Sequence, residues 1–129
     1  MMQKKLVLSL LLPFTLAACN PAHEETMSLL HPVEIQDNDA CHLCGMIIEN
    51  FPGPKGEIAT PFKQQQRTVK FCSTRDLFAY LLQPENQSAK KQVFVHDMSQ
   101  APAWNLADDN AFIDATSAWF VVGHTLRGA

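Results

Sequence analysis

Within six residues, Cys41-His42-Leu43-Cys44-Gly45-Met46, the chain places two thiols, an imidazole and a thioether, behind an acid at Asp39. Any fold of this sequence has to present that turn with its donors on one side or hide them in a core. Thiolate and thioether together select a soft monovalent metal such as Cu(I), whereas zinc normally takes Cys and His and leaves the Met unexplained. A C-x-x-C is also compatible with a thiol-disulfide redox pair, half of a zinc knuckle or two buried structural cysteines. The residues of the motif alone leave these readings open.

What precedes the motif divides in two. Lys4 and Lys5 form a short basic region and Leu6 to Leu16 an apolar run, too short for the roughly 20 residues that span a bilayer. It reads as a signal peptide over residues 1–18. Leu16-Ala17-Ala18-Cys19 resembles the bacterial lipobox, in which the cysteine is acylated and becomes the first residue of the mature protein. Removal of the leader takes away two lysines and no acid, which moves the formal net charge from −3 to −5. With no basic stripe, nucleic acid is excluded as a partner. Residues 19–37 read as a flexible tether, in which His23 and His31 face solvent, and residues 38–129 as one domain. Acylation at Cys19 implies an extracytoplasmic location, the periplasmic face of a membrane, most naturally the outer one, where unprotected thiols tend to be oxidised.

Beyond the motif, Met46 to Glu49 reads as a short strand and Phe51-Pro52-Gly53-Pro54-Lys55-Gly56 as turn chemistry. Glu57–Thr60 and Thr68–Cys72 form a hairpin around a polar loop, Lys63 to Arg67. Ser73 or Thr74 caps a helix from Arg75 to Leu82, closed by Pro84, and Val93 to Met98 alternates as a strand. Cys72 is expected to be a small buried hydrophobe. Met98, at the exit of a strand beside Asp97, is poorly placed for core packing and is a candidate ligand. Trp119 to His124 reads as a final strand whose aromatic surface the remaining residues cannot cover.

Several of these pieces together resemble one family. Cys-Gly-Met with a preceding Asp, Pro-Gly-Pro-Lys-Gly shortly after, a strand ending Val-His-Asp-Met, a Trp, and Phe-Ile-Asp-Ala-Thr-Ser-Ala-Trp-Phe-Val-Val-Gly are similar to the NosL family of copper lipoproteins. The resemblance covers Asp39 to Ala129 and includes the leader. It implies an α+β fold of small ββαβ units, with the second unit cut short at the C-terminus of this sequence. It further implies a membrane-anchored Cu(I)-binding protein, not an enzyme, that delivers copper to the machinery assembling the clusters of nitrous oxide reductase. Carried over residue by residue, Cys44 and Met46 match Cys-Gly-Met and Met98 the downstream Met, with His42 and Asp39 as neighbours or alternate ligands; Cys41 has no fixed counterpart in the family pattern and is a candidate ligand from the C-x-x-C alone, and a homodimer sharing one ion is compatible with such a set. The alternative is a lipid-anchored thiol-disulfide oxidoreductase using Cys41 and Cys44, disfavoured because no βαβ run precedes the C-x-x-C. A structural zinc module lacks a second matching ligand pair.

Overall fold

The computed structural model describes residues 30–87, 89–108 and 110–129. The expected leader, the expected acylation site Cys19 and His23 lie outside the described residues, as does the expected tether up to residue 29. Among the described residues no helix is long and apolar enough to cross a membrane.

Strands β1 (Gly56–Phe62) and β2 (Gln65–Phe71) form the expected hairpin, but with a tighter turn than the five-residue polar loop. Lys63 takes a positive φ of 56° beside Gln64, which lets pairing resume at Gln65 and recruits Gln65 to Arg67 into β2. Helix α1 (Thr74–Leu81) follows, then β3 (Gln92–His96) and the short β4 (Phe112–Asp114). The sheet is antiparallel in the order β2-β1-β3-β4, an α+β fold as the residue pattern implies.

Side-chain alternation divides the sheet into two faces. Ile58 pairs with Val69 and Val93, and this row joins Phe71, Val95 and Leu77 of α1 in the main core with Ile35 and Ile48. Gly56 lies where the helix crosses the hairpin: a Cβ there would come within 2.5 Å of the Leu77 side chain. The absence of a side chain at residue 56 therefore sets the distance between α1 and the sheet.

On the opposite face Ala59 and Phe94 pack against Leu30. Residues 30 to 34, within the stretch read as a tether, run along the sheet here, and Ile35 beyond them enters the main core. Leu30 and Ile35 are buried, and the backbone is tied down at several points. Gln66 accepts the His31 N–H (3.0 Å) and donates to the His31 carbonyl (2.8 Å), while Lys70 donates to the Glu34 carbonyl (2.6 Å). Val33 N–H donates to the Glu57 carboxyl at 2.9 Å.

Glu57 is fully buried beneath this segment, and its Oε1 has no hydrogen-bond partner among the described residues. Burial pushes its carboxyl up from 4.5 to about 7, a shift that the Val33 N–H and Lys70 only partly oppose. The folded chain therefore holds a proton that the unfolded chain releases near pH 4.5. Stability is greatest below that pH as far as this group is concerned, falls as pH rises through about 7, and stays lower above it. Glu57→Gln, which keeps an acceptor for Val33, is expected to stabilise the protein by about 2 kcal/mol at pH 8 and to change little at pH 4.5, as read from urea unfolding at the two pH values.

Two sequence expectations differ from the fold. Met46 to Glu49 is not a strand: Ile47 makes one antiparallel bridge to Ala40, after which Ile48–Asn50 is a 3-10 turn. The Ile48 N–H is used by the Asp39 carbonyl (2.9 Å), so the run closes a loop instead of extending a sheet. Trp119 to His124 is not a strand either. Asp114 ends β4 by accepting the Thr116 N–H at 2.7 Å, which caps a 3-10 turn at Ala115–Ser117 and turns the chain out of the sheet. Trp119 beyond it is fully exposed.

Candidate metal centre

The motif folds as a closed loop. Cys41 N–H donates to the Met46 carbonyl and Gly45 N–H to the Cys41 carbonyl, both at 2.8 Å, and Gly45 has a φ of +75° that an L side chain adopts only under strain. His42 N–H donates to the Lys70 carbonyl (2.8 Å), pinning the loop to the end of β2. Asp39 reinforces this attachment through an ion pair with Lys70 and by accepting the Gln36 N–H. Burial acts to raise the Asp39 carboxyl, but these hydrogen bonds outweigh it and hold the group below its usual range.

A second element completes the site. β2 ends at Phe71, Cys72 follows directly, and Ser73 caps α1 by accepting the Asp76 N–H at 3.1 Å, which places Asp76 in the first helical turn beside the loop. Cys44 Sγ lies 3.5 Å from Cys72 Sγ, and Cys72 donates to the Asp76 carboxylate at 3.3 Å. Cys41 Sγ is 3.8 Å from the same carboxylate. One donor atom from each of Cys41, Cys44, Cys72 and Asp76 falls within a span of 4.8 Å.

Burial grades these thiols. Cys41 is 2 % and Cys72 0 % exposed, while Cys44 lies on the surface; all three are free of disulfides. Burial works against a thiolate at Cys41, but the backbone N–H groups of Cys72 and Cys44 outweigh it and bring that thiol below its ordinary value. At Cys72 burial, then the neighbouring thiols and the Asp76 carboxylate, all push the thiol up. Asp76 thus accepts a hydrogen bond from the Cys72 thiol at the inner edge of the cluster. Three thiols at this spacing suit a soft cation, with a carboxylate oxygen at the edge of the set.

The other residues singled out from the sequence are placed as follows. His42 turns its ring edge-on to Tyr80 (5.0 Å between centroids) and Phe71 (6.0 Å). Met46 is half exposed on the rim of the loop. Met98 opens the 3-10 turn after β3 and lines a hollow of about 400 Å³ with Pro54, His96, Trp104 and Trp119, which none of the three cysteines lines. His96 is buried against Phe112, neither ring nitrogen has a hydrogen-bond partner among the described residues, and burial with the nearby Lys55 charge lowers it to about 4. Cys72 and Asp76 are the members of the cluster that sequence reasoning missed. The available signal was a third cysteine immediately before a helix cap.

Comparison with known proteins gives a consistent result. The NosL family profile matches residues 32–129. The copper-binding lipoprotein NosL of Stutzerimonas stutzeri is 45 % identical over 123 residues, 95 % of this chain and 62 % of that protein. The protein of the same name from Achromobacter cycloclastes is 30 % identical over 114 residues, 88 % of this chain and 58 % of that protein. The chain thus spans about three-fifths of the length of these curated relatives. The crystal structure of the copper chaperone NosL from Shewanella denitrificans superposes with a TM-score of 0.70 at 49 % identity, covering 77 % of this chain and 72 % of that one. With the profile covering three-quarters of the sequence and the fold shared, the chain belongs to the NosL family.

Proposed function

We propose that this protein is a Cu(I) carrier, lipid-anchored at Cys19 on the periplasmic face of the outer membrane, that hands copper to the machinery building the metal clusters of nitrous oxide reductase. The observation that carries the reading is the convergence of three thiols, from two separate segments, within 4.8 Å. Relatives named as copper-binding lipoproteins and a copper chaperone support it, as does the lipobox-like Leu16-Ala17-Ala18-Cys19. Thiolates hold Cu(I) in low coordination, strongly enough to suppress free-copper chemistry and openly enough for an incoming donor to exchange. In this reading copper is cargo, held and passed on as Cu(I) by ligand exchange.

The test is a competition titration of the reduced protein with bicinchoninate. One Cu(I) per chain should resist the chelator, and X-ray absorption should show sulfur-dominated scattering. A protein that reduces insulin disulfides readily and retains no copper would instead be a thiol-disulfide oxidoreductase. The anchoring has its own test: Cys19→Ala should shift the protein from the membrane fraction or leave its leader uncleaved, and a variant processed and still membrane-bound would contradict acylation at Cys19.

A further inference from the structure

Resting on the copper reading above, we infer that the three thiols divide their roles: Cys41 and Cys72 retain the metal, and Cys44 is the ligand that leaves when copper passes to an acceptor bearing its own thiolate or thioether. Transfer by ligand exchange breaks one copper–sulfur bond for each one formed, the metal staying Cu(I) throughout. The sulfur that lets go is an anion and needs water or a proton. Cys41 and Cys72 are 2 % and 0 % exposed, and both sulfurs are turned inward to the Asp76 carboxylate, so water and an incoming donor have little access to either. Cys44 is on the surface, where a released thiolate is hydrated at once.

The surroundings of the loop point the same way. Apart from its chain neighbours Cys44 and Met46, no described residue has an atom within 4 Å of where a Cβ on Gly45 would be, so the space beside the loop there is open. Leu43 and Met46 flank it with exposed apolar side chains, and the Met46 thioether offers a soft donor on the outward side, two residues from Cys44. The opposite side of the cluster is closed by the core, where Cys41 and Cys72 pack with Phe71 and Leu77. Among the described residues the side that Cys44 occupies is therefore the open approach to copper, and the core closes the side of Cys41 and Cys72. The first exchange forms an acceptor sulfur–copper bond and breaks the Cys44 sulfur–copper bond, leaving the ion shared between the acceptor and the two buried thiolates, whose bonds to copper are then replaced in turn by further acceptor donors.

Native mass spectrometry of the Cu(I)-loaded full chain, treated with limiting iodoacetamide, tests the assignment. The first alkyl group should fall on Cys44 with copper still bound, because the buried pair retains the ion. Cys44→Ser should lower Cu(I) affinity by less than Cys72→Ser does and should form a 1:1:1 adduct of protein, copper and glutathione, the external thiolate replacing the missing one. First alkylation at Cys41 or Cys72, or loss of copper on alkylation of Cys44, would overturn the division of roles. So would a Cys44→Ser protein that folds but no longer loads. If the parent chain itself takes up no Cu(I), the copper reading fails and this inference falls with it.

Discussion

Cys72→Ser should lower affinity for Cu(I) by about 100-fold or more, equivalent to roughly 2.7 kcal/mol, although Cys72 lies outside the Cys-Gly-Met motif. The residue is fully buried, 3.5 Å from the Cys44 sulfur and 3.3 Å from Asp76. Serine is slightly smaller, and its hydroxyl can still donate to the Asp76 carboxylate, so the local fold has no reason to change. What is lost is a soft donor, replaced by a hard oxygen that Cu(I) disfavours. The informative comparison is Met98→Leu, which nearly conserves volume and should cost less than about 1.5 kcal/mol in stability. Because Met98 lines a different hollow, its substitution should change Cu(I) affinity by less than about tenfold. Bicinchoninate competition on both variants, with circular dichroism as a folding control, decides the matter. Equal losses would mean that the copper set extends from the thiol cluster to the end of β3.

The largest expected effect on stability comes from Leu77→Ala, at about 3 kcal/mol. Leu77 is fully buried at the centre of the main core and sits over Gly56, so truncation opens a cavity at the point where α1 meets the hairpin. Little can move in to fill it, since the β1 backbone at Gly56 brings no side chain. In a domain of this size such a loss corresponds to a fall in melting temperature of roughly 10–20 °C. Thermal melts and urea titrations would measure it, with an unchanged m-value showing that the unfolding transition itself is the same. The same helix carries Asp76, and Cys72 immediately precedes it, so copper affinity should decline only as the folded fraction declines. A drop in affinity at temperatures where the variant is still folded would instead show that Leu77 positions the cluster directly.

Much of the fold was legible because local chemistry and tertiary packing agree. A cap at Ser73 or Thr74 was readable from their place before an amphipathic stretch, and the Asp76 N–H donates to the Ser73 hydroxyl. The hairpin was readable from alternation on both sides of a polar turn. Where they disagree, long-range backbone pairing prevails. Met46 to Glu49 is apolar enough for a strand, yet the loop-closing bonds of Cys41 and Ile48 use its backbone. Trp119 to Val122 has strand-forming side chains, but the Asp114 cap has already turned the chain away from the sheet.

By itself, then, the sequence determined that two thiols, an imidazole and a thioether share one tight turn, since a glycine at residue 45 and the short spacing allow little else. It could not determine which of these donors converge. His42 is one residue from Cys41, yet its ring packs on Tyr80 and Phe71, whereas Cys72, 28 residues from Cys44, has its sulfur 3.5 Å away. Only the tertiary structure made that choice. The bond from His42 N–H to the Lys70 carbonyl docks the loop at the end of β2, and the capped start of α1 sets Cys72 and Asp76 against it. Convergence of donors depends on the directions in which the backbone points their side chains, and separation along the chain does not specify those directions.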